Sequence, residues 1–166
     1  MRQLAEFVAT LARVGYLTPA SGTWGSAAAV ALFWAIHEIA GPLGVLVALV
    51  AVFLGGIWAV GTLTAGAADH DPSFIVIDEV AGQWIALLPV TLGAAAMGVP
   101  SSALWPGYLT GFLAFRLFDI WKPWIIGRAD RRNDAFGVML DDALAGVFAA
   151  VVVLLAAGIA HGVMMR

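Results

Sequence analysis

Three acidic motifs stand at the ends of apolar runs, and two cations flank one of them. Asp78 and Glu79 lie in IVIDEVAGQW, Asp119 in FRLFDIWKPW, and Asp141 and Asp142 in GVMLDDALAG. Helical spacing sets Arg116 and Asp119 on one face. Pro123 disfavours helix at the residue before it, so Lys122 falls just past a helix ending near Trp121. The chain has no cysteine and no repeated histidine motif. Its candidate ligands are therefore hard oxygens, which suit Mg2+ or Mn2+ better than zinc. Arg and Lys beside a carboxylate-bound metal are the equipment of phosphoryl chemistry, where charge on the equatorial oxygens is stabilised and water is activated.

Each motif also has a plainer reading. Asp78 and Asp141 serve as helix N-caps, each followed by a second acid. Arg116 and Asp119 form a structural ion pair at the membrane edge. It is the combination that favours a site, with Asp78, Glu79, Asp119, Asp141 and Asp142 as metal candidates. Asp130 either joins them or pairs with Arg131 or Arg132. Adjacent helical residues diverge by about 100°, so one member of each acidic pair is expected to face the site. Ser21, Gly22 and Thr23, in TPASGTWGS, form either a small phosphate cradle or a connecting turn with its cap. Asp69, His70 and Asp71 offer either a ligand or general base, or, more plainly, a solvated loop. IVIDEVAG and VMLDDALAG echo each other: apolar residues, an acidic pair, then a glycine entering a span.

These residues need a membrane scaffold. Of 166 residues, 62% are hydrophobic and 11% charged, too few charges to cover a soluble surface. Mean hydropathy is +0.95. The expected fold is all-α: one domain, 1–166, forming a polytopic helical bundle. About five membrane helices are expected at roughly 24–39, 43–63, 80–97, 103–120 and 143–164, by the length a span requires. Gly41-Pro42 and Val99-Pro100 mark turns. Residues 1–16 read as an interfacial amphipathic helix. Arg2, Arg13, Arg116, Lys122, Arg128, Arg131 and Arg132 fall on one side of five spans, and Arg166 on the other. Positive residues favour the cytoplasm, which places all three acidic motifs there. No basic block suggests nucleic acid.

The same pieces carry a family resemblance. TPASGTWGS, IVIDEVAGQW, FRLFDIWKPW with its trailing Asp130, and FGVMLDDALAG occur in order from about 15 to 147. Together they resemble the phosphatidylglycerophosphatase A family. Ser21-Gly22-Thr23 stands where that family often has Pro-Gly-Thr, and Ile125 where it often has Pro. The resemblance implies a Mg2+-dependent lipid phosphatase of the bacterial inner membrane, facing the cytoplasm. Such an enzyme converts phosphatidylglycerophosphate to phosphatidylglycerol and phosphate with one or two Mg2+ ions. Asp78, Glu79, Asp119, Asp141 and Asp142 would hold metal; Arg116 and Lys122, with Ser21, Gly22 and Thr23, would hold the substrate phosphate. The partner is a membrane phospholipid, and a homo-oligomer is left open. The competing readings are a small transporter, another Mg2+-dependent lipid phosphomonoesterase, and an assembly subunit whose acids only cap helices.

Overall fold

The computed structural model describes residues 1–67 and 70–164; Asp69 and Arg166 lie outside them. Every regular element among the described residues is helical. They are α1 (Arg2–Ala9), α2 (Ser21–Leu63), α3 (Ile77–Met97), α4 (Trp105–Trp121), α5 (Ile125–Asp130) and α6 (Ala135–Met164). Single 3-10 turns occupy Val14–Tyr16 and Ser101–Leu104. Three helices are long and apolar enough to cross a membrane: Ser21–Leu63, Ile77–Met97 and Ala135–Val163. Their exposed surface is dominated by large apolar side chains, Leu54, Leu92 and Leu155 among them, as lipid contact demands. The chain is a membrane protein.

Drawn out straight, α2 would reach about 65 Å, twice a hydrocarbon core of ~30 Å. It does not run straight. Gly41 has φ 62° and ψ −163°, outside the helical region, and a positive φ falls naturally to glycine. Pro42 follows and lacks the N–H that a continuing helix needs. The two arms then fold back. Gly25 approaches Val76 and Gly56 approaches Ile77, neighbouring residues where α3 begins. The turn expected at Gly41-Pro42 is thus a reversal inside one nominal helix.

Helix starts differ from expectation. α3 is preceded by Val76, so Asp78 lies within the first turn and caps nothing. α6 begins at Ala135 rather than near Asp141. Asp134 takes the capping role, its Oδ1 accepting the Gly137 N–H at 2.6 Å. Sequence alone favoured the acidic pair as the cap because the apolar run starts there, whereas the helix is set by the aspartate nearly two turns earlier. α2 starts at Ser21 behind Ala20, and the Ser21 hydroxyl donates to the Ser73 carbonyl at 2.5 Å instead of capping. α4 ends at Trp121 as expected, with Lys122 in the left-handed region (φ 48°, ψ 53°). The N-terminal helix is shorter than 1–16. Leu11, Ala12 and Arg13 take positive φ, ending α1 at Ala9. Ala5 and Ala9 face the bundle, while Leu4 and Phe7 are exposed.

α3 is the central helix, packed on α6, both arms of α2, and α4. Its crossing with α6 is made of backbone. A Cβ on Gly146 would sit 2.3 Å from the Gly82 carbonyl oxygen. One on Gly82 would sit 2.5 Å from the Asp142 carbonyl oxygen and from Phe115. These are the terminal glycines of the two echoed motifs. Glycine here trades helix propensity, about 1 kcal/mol against alanine, for close helix approach. Gly146→Ala should therefore destabilise the protein despite better propensity, by about 1–3 kcal/mol as an overpacked core does. A lowered thermal midpoint in detergent checks this.

Candidate active site

One turn back from the glycine crossing, toward the starts of α3 and α6, three carboxylates meet. Asp78, Glu79 and Asp142 each bring an oxygen within 4.8 Å of the others. Asp78 and Asp142 are buried. Asp78 Oδ1, Glu79 Oε2 and Asp142 Oδ2 are buried without a hydrogen-bond partner. Buried polar atoms are rarely left so, and a cluster of them marks a place where something else binds.

α4 delivers the cations. Arg116 Nη1 pairs with Asp119 Oδ2, stands 3.9 Å from Glu79 Oε1, and reaches Ser26 Oγ at 3.5 Å. Lys122 Nζ donates to Asp130 Oδ1, and to Asp141 Oδ2 at 2.7 Å. The left-handed turn at Lys122 is what aims its side chain back at α5 and α6. Burial alone would push the Lys122 ammonium down. Hydrogen bonds to Asp130 and Asp141 outweigh it and hold the group well above the usual lysine range, so it stays charged.

The first turn of α2 closes the third side. A Cβ at Gly22 would lie 2.2 Å from Glu79 Oε1 and 3.1 Å from Arg116 Nη1. Only a residue without a side chain lets this backbone touch both. Between these walls is a cavity of about 360 Å³. Asp78, Glu79, Asp142, Arg116, Asp119 and Lys122 line it, with Ser21 and Gly22 on one flank and Ile75 and Ile120 on another.

The expected residues are thus mostly brought together, with particular differences. Both Asp78 and Glu79 join the carboxylate cluster, rather than one of the two. Asp141 turns away to Lys122, leaving Asp142 in the cavity. Asp119 lines the cavity but is engaged by Arg116, outside the three-carboxylate set. Asp130 pairs with Lys122, not with Arg131 or Arg132; Arg132 pairs with Asp134. Thr23 does not line the cavity. His70 bonds Thr64 Oγ1 at 2.8 Å and does not line the cavity.

Sequence reasoning missed Ser73 and Gln83, and left Asp71 in a solvated loop and Ser26 in the TPASGTWGS segment without a role of its own. Asp71 and Ser73 line the cavity, and Ser26 contacts Arg116. Gln83, one turn beyond Glu79, is fully buried with both amide atoms unpartnered. The Gln83 signal was available: a lone amide at i+4 from an acid, inside an apolar run. Asp71 and Ser73 carried no signal beyond lying just before the acidic motif.

Charge pairing leaves a remainder. Arg116 is taken by Asp119, and Lys122 by Asp141 and Asp130. Among the described residues Asp78 and Asp142 have no ion pair and Glu79 only its 3.9 Å contact with Arg116, and each of the three keeps a buried oxygen without a hydrogen-bond partner. Their number, hardness and mutual distance fit a divalent cation.

The fold and the site together define a class: an all-helical membrane protein with a carboxylate cavity guarded by one arginine and one lysine. The chain belongs to the phosphatidylglycerophosphatase A family, whose sequence profile matches residues 7–157. A Haemophilus influenzae protein named phosphatidylglycerophosphatase A is 36% identical over 84% of this chain and 80% of its own. The Escherichia coli protein of that name is 33% identical over 78% and 69%. A Bacteroides thetaiotaomicron protein, provisionally named a phosphatidylinositol-3-phosphatase, is 34% identical over 86% of each. No solved structure matches the chain significantly.

A ligand that binds only the folded state stabilises it, by about 2.7 kcal/mol at a hundredfold excess over Kd. Mg2+ should therefore raise the thermal midpoint by roughly 5–10 °C. Asp142→Asn should abolish that rise. Gly22→Ala, by displacing Glu79, should weaken it. Thermal melts across a Mg2+ titration check both.

Proposed function

We propose that this chain hydrolyses phosphatidylglycerophosphate to phosphatidylglycerol and inorganic phosphate, with Mg2+, at the cytoplasmic face of the bacterial inner membrane. One observation carries the reading: a cluster of unpartnered carboxylates shares a cavity with Arg116 and Lys122, in a chain of this family. Acids alone fit cation transport; acids with a guanidinium and an ammonium fit a phosphate monoester held on a metal.

Asp78, Glu79 and Asp142 hold one or two Mg2+ ions, with Asp119 available to the second. When bound, Mg2+ neutralises phosphate charge and acidifies water. Arg116, steadied by Asp119 and Ser26, donates to the equatorial phosphate oxygens. Lys122 adds a second positive charge, held by Asp141 and Asp130. The α2 start presents the backbone N–H groups of Ser21 and Gly22, and a helix N-terminus favours an anion. A cavity carboxylate accepts a proton from the attacking water; the water oxygen bonds phosphorus as the P–O bond to glycerol breaks in line, and the departing glycerol oxygen takes up a proton to leave as the alcohol.

In the membrane, five crossings follow: the two arms of α2, α3, α4 and α6. α4 has 17 residues, about 25 Å of helix, enough when its 3-10 approach is added. The site end of the bundle carries Arg2, Arg13, Arg128, Arg131 and Arg132 in this arrangement, which supports the cytoplasmic orientation. α1, with Leu4 and Phe7 exposed, lies in the interface. The name of the Bacteroides relative makes an inositol lipid the competing substrate.

Purified protein should release phosphate from phosphatidylglycerophosphate with Mg2+ and lose the activity in chelator. It should act less on phosphatidate and on phosphatidylinositol 3-phosphate. Arg116→Ala should lower kcat/KM by roughly 10²–10³-fold, as loss of a transition-state donor does, while the Mg2+-induced rise in thermal midpoint persists. Wild-type rates in Arg116→Ala or Asp142→Asn protein would sink the proposal.

A further inference from the structure

The polar cavity is one end of a longer feature. A second cavity, of about 320 Å³, lies between Val30, Ala31 and Trp34 of α2 and Trp105 and Tyr108 of α4. Both cavities are lined in part by the first arm of α2 and by α4. These run side by side: Ser26 meets Arg116 at one level, and Phe33 meets Tyr108 edge-on at 6.1 Å at the other.

The α4 side of this seam is a single stripe. Trp105, Leu109, Leu113, Arg116 and Ile120 recur at helical spacing and so share one face. Trp105 lines the far cavity, while Arg116 and Ile120 line the near one. Trp105, Leu109, Leu113 and Ile120 are each at least half exposed. On α2, Ala31 lines the far cavity, and Ala27, one turn earlier, is likewise small and exposed. Small residues beside large exposed ones leave a furrow, with its floor at the Ser26–Arg116 and Phe33–Tyr108 contacts.

We infer that this furrow is the acyl-chain subsite of the substrate: the lipid enters sideways from the bilayer and lays one chain between α2 and α4, with its phosphate in the acidic cavity. The inference rests on the phosphatase reading above and deepens it. Three observations favour a lipid chain over a second copy of the protein. The near end of the α4 stripe is a wall of the acidic cavity, since Ile120 and Arg116 both line it. Its polarity runs from charged at the site to apolar at the far end, as a phospholipid's does. From Ile120 to Tyr108 is 12 residues of helix, about 18 Å, close to the ~15 Å depth of one leaflet's hydrocarbon.

The test uses the full chain in mixed micelles, with phosphatidylglycerophosphate bearing either two hexanoyl or two palmitoyl chains. Ala31→Trp and Ala27→Trp fill the furrow; Val151→Trp, on an exposed face of α6, is the control. Filling should raise KM for the long-chain lipid about tenfold, against a change of less than about twofold for the short-chain lipid and for the control. Phosphatidylglycerophosphate with a diazirine at one acyl terminus should label Leu109 and Leu113 in wild type, and label them less in Ala31→Trp. The labelling does not depend on turnover. Should wild type release no phosphate from either lipid, the phosphatase reading fails while labelling still reports on the furrow. Equal effects on both lipids, no effect on either, or labelling elsewhere would overturn the inference. So would an Ala31→Trp protein whose defect tracks dissociation of an oligomer, since the furrow would then seat a second copy.

Discussion

Carboxylates repel one another, and a surround of helices and lipid does little to screen them. Three acids within 4.8 Å of one another, two of them buried, are costly to assemble in such a place. The rest of the site is arranged around that cost. Arg116 and Lys122 are held mainly by other acids, leaving Asp78 and Asp142 without a fixed counter-charge and Glu79 with only a 3.9 Å contact to Arg116. A fixed cation there would settle the electrostatics and leave nothing to bind. Its absence keeps the pocket able to take up a divalent ion and, through it, an anion.

The backbone provides the confinement. Gly82 and Gly146 let α3 and α6 touch, which brings Asp142 across to Asp78 and Glu79. Gly22 lets α2 close against Glu79 and Arg116. Asp134 starts α6 early enough that the acidic pair lies within a formed helix, where one acid points to the cavity and its neighbour to Lys122. Each charged side chain is held by an element whose position depends on a residue with no functional group to offer.

What the sequence made legible follows from range. Apolar run length and the Gly41-Pro42 pair located the arms of α2, because reversal is a local backbone matter. The acidic motifs and Arg116 were legible because charge is conspicuous in a chain so apolar. Assigning partners was less successful. Asp130 went to Lys122 rather than to its neighbouring arginines, and Asp141 parted from Asp142, because those choices are made between helices. Thr23 matched a phosphate-cradle pattern, yet the helix that begins at Ser21 turns it from the cavity. Asp71 and Ser73 have ordinary loop chemistry and matter only through where α3 begins. The glycine echo of IVIDEVAG and VMLDDALAG was visible as pattern; that the two glycines meet was not, since nothing local says which helices cross.

That meeting has a consequence for how this protein can vary. Most enzymes keep their tightest packing apart from their chemistry, so a loosened core and a damaged site are separate misfortunes. Here they occupy adjacent turns of the same two helices. A substitution that widens the α3–α6 crossing moves Asp142 away from Asp78 and Glu79 in the same stroke. Robustness and turnover are then one property, and adaptation to a warmer habitat would have to work through the lipid-facing periphery.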